Sequence, residues 1–145
     1  MKKIILLLIF LFFVAGCESK SVTFSKICTE KIDSQSITDV TKTKVIYNNK
    51  DEVIKTVITK TYKAKDADGN IVIEGIKKTM ENYNNNLAKT NFIKIRNVKN
   101  EDDIYKVKYY LDVRKMKRDE LEKFGMQKNS IKYFNNLKKR NIKCK

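Results

Sequence analysis

Alternating apolar and polar side chains are the feature that most restricts the fold of this chain. The stretches from Ile37 to Tyr47 and from Val53 to Lys63 are rich in Val, Ile and Thr, and a polar turn at residues 48–51 separates them. Because β-branched residues favour strands, the pattern predicts an antiparallel hairpin. The apolar spacing within 53–63 would also suit a helix, but Val, Ile and Thr make up most of that stretch, which favours the strand.

The same alternation predicts three further strands. Residues 22–32 predict a first strand in which Cys28 faces inward, and residues 92–98 and 104–116 predict two later strands joined by a turn at 100–103. In the last strand the side chains expected on one face are Tyr105, Val107, Tyr109, Leu111 and Val113. We therefore expect an α+β fold with an antiparallel sheet of about five strands.

Helical spacing appears in the middle and near the end of the chain. After Gly75, apolar residues from Ile76 to Leu87 recur at intervals of three and four, which predicts an amphipathic helix running to about Lys89. Residues 117–124 predict a short helix ended by Gly125, and Ser130 is expected to cap a final helix. The expected order is a meander of three strands, a helix, two strands and C-terminal helical turns, with a tail returning to the first strand.

The first sixteen residues have the order of an export signal. Lys2 and Lys3 precede an uncharged apolar run from Ile4 to Val14, and the small residues Ala15 and Gly16 follow. The run is too short to cross a bilayer, which requires about 20 apolar residues in a helix. We expect residues 1–16 to be a signal peptide that is cleaved, so that no transmembrane helix is retained.

The sequence Val14-Ala15-Gly16-Cys17 resembles the lipobox of bacterial lipoproteins. The resemblance implies that Cys17 is acylated, with cleavage between Gly16 and Cys17; the alternative is that Cys17 is the first cysteine of an ordinary secreted domain. Two acyl chains suffice for stable membrane anchoring. We therefore expect a lipid-anchored protein on the outer face of the plasma membrane, with residues 17–21 as lipidated cysteine and short tether and residues 22–145 as a single domain.

With Cys17 assigned to lipid, Cys28 and Cys144 remain as an even pair in an exported protein, where disulfides persist. A bond between them would close a loop of more than one hundred residues and stabilise the fold by roughly 4 to 5 kcal/mol. It requires the last residues to return beside the first strand. The alternatives are two free thiols or a catalytic thiol, and the latter is disfavoured because the chain has no His to activate it.

Basic residues dominate the charge, with 32 Lys and Arg against 17 Asp and Glu. Removal of Lys2 and Lys3 with the signal leaves this balance nearly unchanged. Only four of the basic residues are Arg, the residue that typically reads bases, so nucleic acid is not the expected partner. Anionic lipids or wall polymers are the expected partners, although the Lys- and Asn-rich composition is also typical of an AT-rich genome.

Motifs for catalysis or cofactor binding are missing from the sequence. The chain has no His, no Gly-rich phosphate loop and no Cys-x-x-Cys pair, so we expect no enzyme, no metal and no cofactor. Asp66, Asp68 and Gly69 resemble part of a calcium loop, but Ile76 stands where a Glu ligand is needed. A hairpin turn over residues 65–70 is therefore predicted. The acidic run 101–103 is interpreted as a solvated turn.

Several of these features together resemble the small YehR-like lipoproteins of low-GC Gram-positive bacteria. They are the lipobox Cys17, the first-strand pair Cys28-Thr29, the Thr-rich hairpin ending in Tyr62-Lys63, the middle helix and the terminal Cys144-Lys145. The chain departs from the resemblance in its strong basicity. The resemblance implies a location and a fold without a reaction.

The predicted function is that of a membrane-anchored surface lipoprotein with a non-catalytic extracytoplasmic domain, which binds or has a structural role at the envelope. The alternative is a module that captures a small ligand or assists an envelope system. An enzyme is the third hypothesis. Converging polar groups in an apolar cavity would favour ligand capture, whereas a flat basic face would favour the first hypothesis.

Overall fold

A computed structural model describes residues 22–145 and contains one antiparallel sheet of six strands with three α-helices. The spatial strand order is β4-β5-β3-β2-β1-β6. The strands are β1 (Thr23–Asp33), β2 (Ile37–Asn48), β3 (Val53–Ala64), β4 (Ile93–Glu101), β5 (Ile104–Asp112) and β6 (Lys143–Cys144). The helices are α1 (Ala67–Leu87), α2 (Arg118–Lys123) and α3 (Ser130–Lys139), with a 3₁₀ turn at Val113–Lys115.

The α+β architecture and the meander of the first three strands are confirmed. The expected number of strands is corrected from about five to six, because the returning tail forms β6 and pairs with β1. This strand contains only two residues, Lys143 and Cys144. A two-residue strand has no alternation that a sequence pattern can reveal.

The hairpin turn predicted over residues 65–70 is wrong, because α1 already begins at Ala67. The Asp66 carboxylate accepts a hydrogen bond from the backbone N–H of Gly69 at 2.7 Å and caps the helix. Asp before Gly and Asn is a helix-capping signal as well as a turn signal, so the composition alone could not separate the two. Gly75, expected before the helix, lies inside it.

The start of α3 also differs from the prediction by one residue. Asn129 is the N-cap, and its side chain accepts a hydrogen bond from the backbone N–H of Lys132 at 2.9 Å. Ser130 is instead the first helical residue, buried, with its hydroxyl donating to Asp51 Oδ1 at 3.3 Å. Gly125 follows the end of α2 with a φ of +61°, the left-handed conformation expected of a glycine at that position.

The two faces of the sheet have different environments. We call the face that bears Cys28, Tyr109 and their cross-strand neighbours the covered face, because the helices pack on it; the opposite one is the open face. The predicted apolar side of β5 belongs to the covered face and is buried. The prominent buried residues of this core are Cys28, Val45, Ile73, Tyr105, Val107, Tyr109, Leu111, Met116, Tyr133 and Leu137.

The inward face of β1 is only partly buried. Cys28 is 1% exposed, as predicted, but Val22, Phe24 and Ile32 at the same periodicity are 57%, 48% and 58% exposed. The short β6 pairs only with Cys28 and Thr29. The rest of β1 therefore forms one edge of the sheet, which explains why alternation did not lead to burial there.

Candidate functional site

The two cysteines of the described chain are joined where its end meets its first strand. The Sγ atoms of Cys28 and Cys144 are 2.05 Å apart, and the two residues are direct partners in the β1–β6 pairing. Next to them, Ile27 and Lys145 exchange both backbone hydrogen bonds, at 2.8 and 2.9 Å. Cys28 and Cys144 thus occupy the adjacent non-hydrogen-bonded pair, the position at which facing side chains lie closest.

The predicted lipidation residue Cys17 and the cleavage position after Gly16 lie outside the described residues. Across residues 22–145, no helix has the length and apolar character needed to cross a membrane. In the same part of the chain, no three His, Cys, Asp or Glu side chains converge on a position that could hold a metal ion.

The acidic residues considered from the sequence occupy the ends of secondary-structure elements. Asp66 caps α1 and Asp68 lies in its first turn. Glu101 is the last residue of β4 and forms a salt bridge with Lys99 at 2.7 Å. Asp102 and Asp103 form the exposed turn before β5. The structure does not bring these two groups of acids together.

The open face of the sheet is strongly basic. Its paired strand positions include eleven Lys and Arg side chains and only three acidic ones, Asp33, Glu101 and Asp112. Nine of the eleven are exposed, and Lys106 and Lys108 are half-buried. The eleven basic residues are Lys31, Lys42, Lys44, Lys55, Lys63, Lys94, Arg96, Lys99, Lys106, Lys108 and Lys143.

One row of this face crosses all six strands, and we call it the cationic row. In spatial order it consists of Arg96, Lys108, Thr59, Lys42, Thr29 and Lys143. Neighbouring strands lie about 4.8 Å apart, so the row places four cations along a line of roughly 24 Å. The acids of the open face pair elsewhere, within 4 Å of Lys31, Lys99 and Arg114, and the cationic row has no salt bridge to any described residue.

A cleft of about 490 Å³ lies on the other side of the sheet, between the covered face and the helices. Its floor is a cross-strand row of Cys28, Thr43, Ile58 and Tyr109. Three helical elements contribute the walls. The wall residues are Thr79, Met80 and Tyr83 from α1, Lys123, Phe124 and Gly125 from the end of α2, and Tyr133, Leu137 and Arg140 from α3 and its C-cap.

Charged side chains border this apolar space. Arg140 donates to Glu30 Oε1 at 3.3 Å, while Lys60 and Lys123 line the cleft without a salt bridge to any described residue. Beside them, burial raises the pKa of Asp39 above its ordinary value, although the nearby Lys60 opposes the shift. Burial also raises the pKa of Tyr133 to about 12. The cleft therefore combines aromatic walls with an excess of positive charge.

No protein-family model, curated protein or solved structure matches this chain. The resemblance to YehR-like lipoproteins therefore rests on the residues quoted from the sequence. Sequence reasoning missed both the cationic row and the cleft. Alternation within β5 puts Lys106 and Lys108 on the side opposite its apolar residues, but the row depends on the order in which distant strands pair, which no single strand pattern contains.

Proposed function

We propose that the protein is a membrane-anchored lipoprotein whose non-catalytic domain binds a linear anionic polymer of the cell envelope along the open face of its sheet. The observation that supports this best is the cationic row. Four cations spaced across six strands, with no acid among the described residues pairing with them, present a line of positive charge to the solvent. A polyanion with regularly spaced charges is complementary to such a line.

The shape of a sheet favours a linear polymer over a flat bilayer as the partner. Adjacent strands are rotated by about 20 to 25°. Over six strands this rotation turns the outward direction of the side chains by roughly 100°, so a flat surface would contact only part of the row. A flexible polymer can follow the rotation and contact the row from Arg96 to Lys143.

The position of the anchor keeps the sheet near the membrane. Only six residue steps separate Cys17 from Thr23, the first residue of β1. At no more than about 3.6 Å per residue, this distance is at most roughly 20 Å. An acylated Cys17 would therefore keep the open face within the envelope layer next to the bilayer, where anionic wall polymers begin.

A polymer-binding assay tests this proposal. The mature lipoprotein in non-ionic detergent micelles is applied to immobilised poly(glycerol phosphate), and the dissociation constant is measured from low to high salt. The triple variant Lys42→Gln, Arg96→Gln and Lys108→Gln should bind about a hundredfold more weakly at low salt, since each cation contributes on the order of 1 kcal/mol at an anionic surface. The salt dependence of binding should also weaken.

The matched control removes the same charge elsewhere. Lys78, Lys89 and Lys132 are exposed and lie outside the open face. The triple variant in which all three are changed to Gln should keep most of the affinity of the wild type for poly(glycerol phosphate). Equal losses in the two triple variants would mean that net charge alone governs binding and would contradict the proposal. Tighter binding to duplex DNA, or to micelles containing anionic lipid, would favour those partners instead.

A further inference from the structure

We infer that the cleft between the covered face and the helices is a binding site for a small organic anion with an apolar body. The site lies on the opposite side of the sheet from the cationic row, so this inference does not depend on polymer binding. Its volume of about 490 Å³ is within the range of sites for small molecules.

The apolar body of the ligand follows from the floor and the walls. Ile58 and Tyr109 lie on the floor, and Tyr83, Phe124 and Tyr133 contribute aromatic rings around it. Aromatic side chains bury large apolar areas and pack against flat or aliphatic ligand surfaces. The Tyr109 hydroxyl is already satisfied, since it donates to Asn84 Oδ1 at 3.0 Å, and this bond joins α1 to the sheet beside the cleft.

The negative charge of the ligand follows from Lys60. This residue lies in the middle of β3 on the covered face, between Thr41 of β2 and Val107 of β5. It is half-buried, lines the cleft and has no carboxylate of a described residue within 4.0 Å. Asp39, whose pKa burial raises and the charge of Lys60 lowers, lies beyond that distance and outside the lining of the cleft. An ammonium group partly removed from water is costly unless an anion or hydrogen-bond acceptor compensates it, and an anionic head group in the cleft would do so.

The remaining charges of the cleft favour the same class of ligand. Glu30, its acidic lining residue, is paired with Arg140 at 3.3 Å. Lys123 adds a further cation at the end of α2, so the lining has three basic groups against one acid, and counting Asp39 beside Lys60 still leaves an excess of positive charge. The hydroxyls of Thr41 and Thr43 lie on the floor beside Lys60 and supply additional donors. A cationic ligand would meet repulsion here.

The absence of Trp allows a direct binding experiment on the intact lipoprotein. Indole-3-acetate and its uncharged isostere indole-3-acetamide are titrated with the mature protein in non-ionic detergent micelles. Excitation at a wavelength that tyrosine does not absorb reports the bound indole, and empty micelles provide the blank. The acetate should bind to a single site at least tenfold more tightly than the amide.

Two variants and one control locate the site. Lys60→Met should abolish the preference for the acetate and leave the amide affinity unchanged, whereas Lys42→Met, one strand away on the open face, should leave both affinities unchanged. Thr79→Phe should fill the mouth of the cleft and weaken both ligands at least tenfold, since Thr79 is exposed and its hydroxyl donates only to the Gly75 carbonyl in its own helix.

The inference would be overturned if neither compound bound saturably at millimolar concentration, if the amide bound as tightly as the acetate, or if the preference survived in Lys60→Met. Near-ultraviolet circular dichroism establishes that each variant is folded. Should Lys60→Met fail to fold, Lys60→Gln serves in its place, because it keeps a polar end and removes the charge.

Discussion

Cys28 and Cys144 face each other across β1 and β6 although 116 positions separate them in the sequence. The bond joins the first strand to the tail that follows α3. It also lines the cleft, because Cys28 forms part of its floor. The covalent connection between the ends of the domain and the shape of the cleft are therefore parts of one arrangement.

Removal of this bond should destabilise the domain. The double variant Cys28→Ser and Cys144→Ser should lower the free energy of unfolding by about 4 kcal/mol, since a closed loop of this length restricts the unfolded chain. Urea unfolding of wild type and variant measures the difference, and intact mass with and without reductant should show a gain of two hydrogens in the wild type. A loss below about 1 kcal/mol, or free thiols in freshly isolated protein, would contradict this expectation.

Two glycines of α1 should respond in opposite ways to the same substitution. A Cβ at Gly69 would clash with the Ser36 carbonyl oxygen and lie 3.1 Å from Ala64, whereas a Cβ at Gly75 would meet nothing within 4 Å. Gly69→Ala should therefore destabilise the domain by about 1 to 3 kcal/mol through overpacking. Gly75→Ala should stabilise it by about 0.5 to 1 kcal/mol, because alanine is the better helix former. Urea unfolding checks both, and a stabilising Gly69→Ala would contradict the close approach of α1 to Ser36 and to Ala64 at the end of β3.

The buried carboxylate of Asp39 should reduce stability at neutral pH. Its Oδ1 is buried without a hydrogen-bond partner among the described residues, and burial raises its pKa. As the pH rises past the ordinary pKa of 3.8, Asp39 ionises first in the unfolded state, which favours unfolding. The folded state is therefore less stable at pH 7 than it would be without this carboxylate. Asp39→Asn should raise the melting temperature by a few degrees at pH 7 and leave it unchanged near pH 3.

Asp33→Asn is the control for this effect because its pKa moves in the opposite direction. Hydrogen bonds from Lys31 and Thr38 lower the pKa of Asp33 to about 2. The ionised Asp33 carboxylate therefore stabilises the folded state above pH 3.8, and this stabilisation is lost as the pH falls through about 2. The variant should melt slightly lower than wild type at pH 7. A higher melting temperature for Asp33→Asn than for Asp39→Asn would contradict both assignments.

We expect the lipid to be attached at Cys17, which precedes the described residues. Cys17→Ala should prevent acylation, and the protein should move from the membrane fraction to the soluble fraction. Metabolic labelling with a palmitate analogue and membrane fractionation measure the two effects. Label incorporation that persists in Cys17→Ala would refute the assignment, and Lys20→Ala, three residues further on, is the control that should keep the label.

Local sequence patterns predicted the positions of helices and strands better than the contacts that these helices and strands make with each other. The alternation in β5 correctly placed Tyr105, Val107, Tyr109 and Leu111 in the core, because a strand covered on one side imposes a period of two. The same period of two in β1 does not bury Phe24 and Ile32, since an edge strand has little to pack against. The start of α1 was missed because an Asp such as Asp66 can cap a helix or begin a turn, and its type and position in the sequence do not separate the two.

The candidate sites depend on contacts between distant segments, and this is why the sequence did not reveal them. The cysteine pair correctly predicted that the tail returns to β1, because a covalent bond requires two residues to meet wherever they stand in the chain. No comparable requirement joins Lys42, Arg96 and Lys108 into a row, or brings Lys60 of β3 beside Arg140 after α3. Only the order of strands in the sheet establishes these neighbours.

The bond between β1 and the tail also determines how the domain would respond to mechanical tension. If Cys17 carries a lipid and the open face holds a polymer, as proposed, tension between them would enter the domain at Thr23 and peel β1 from β2, beginning at the Thr23–Asn48 pair. When peeling reaches Cys28, the load passes to Cys144 and from there to α3, whose Tyr133 and Leu137 are buried. Further extension would require extraction of core side chains, so the disulfide would limit early yielding to the five residues of the strand that precede Cys28.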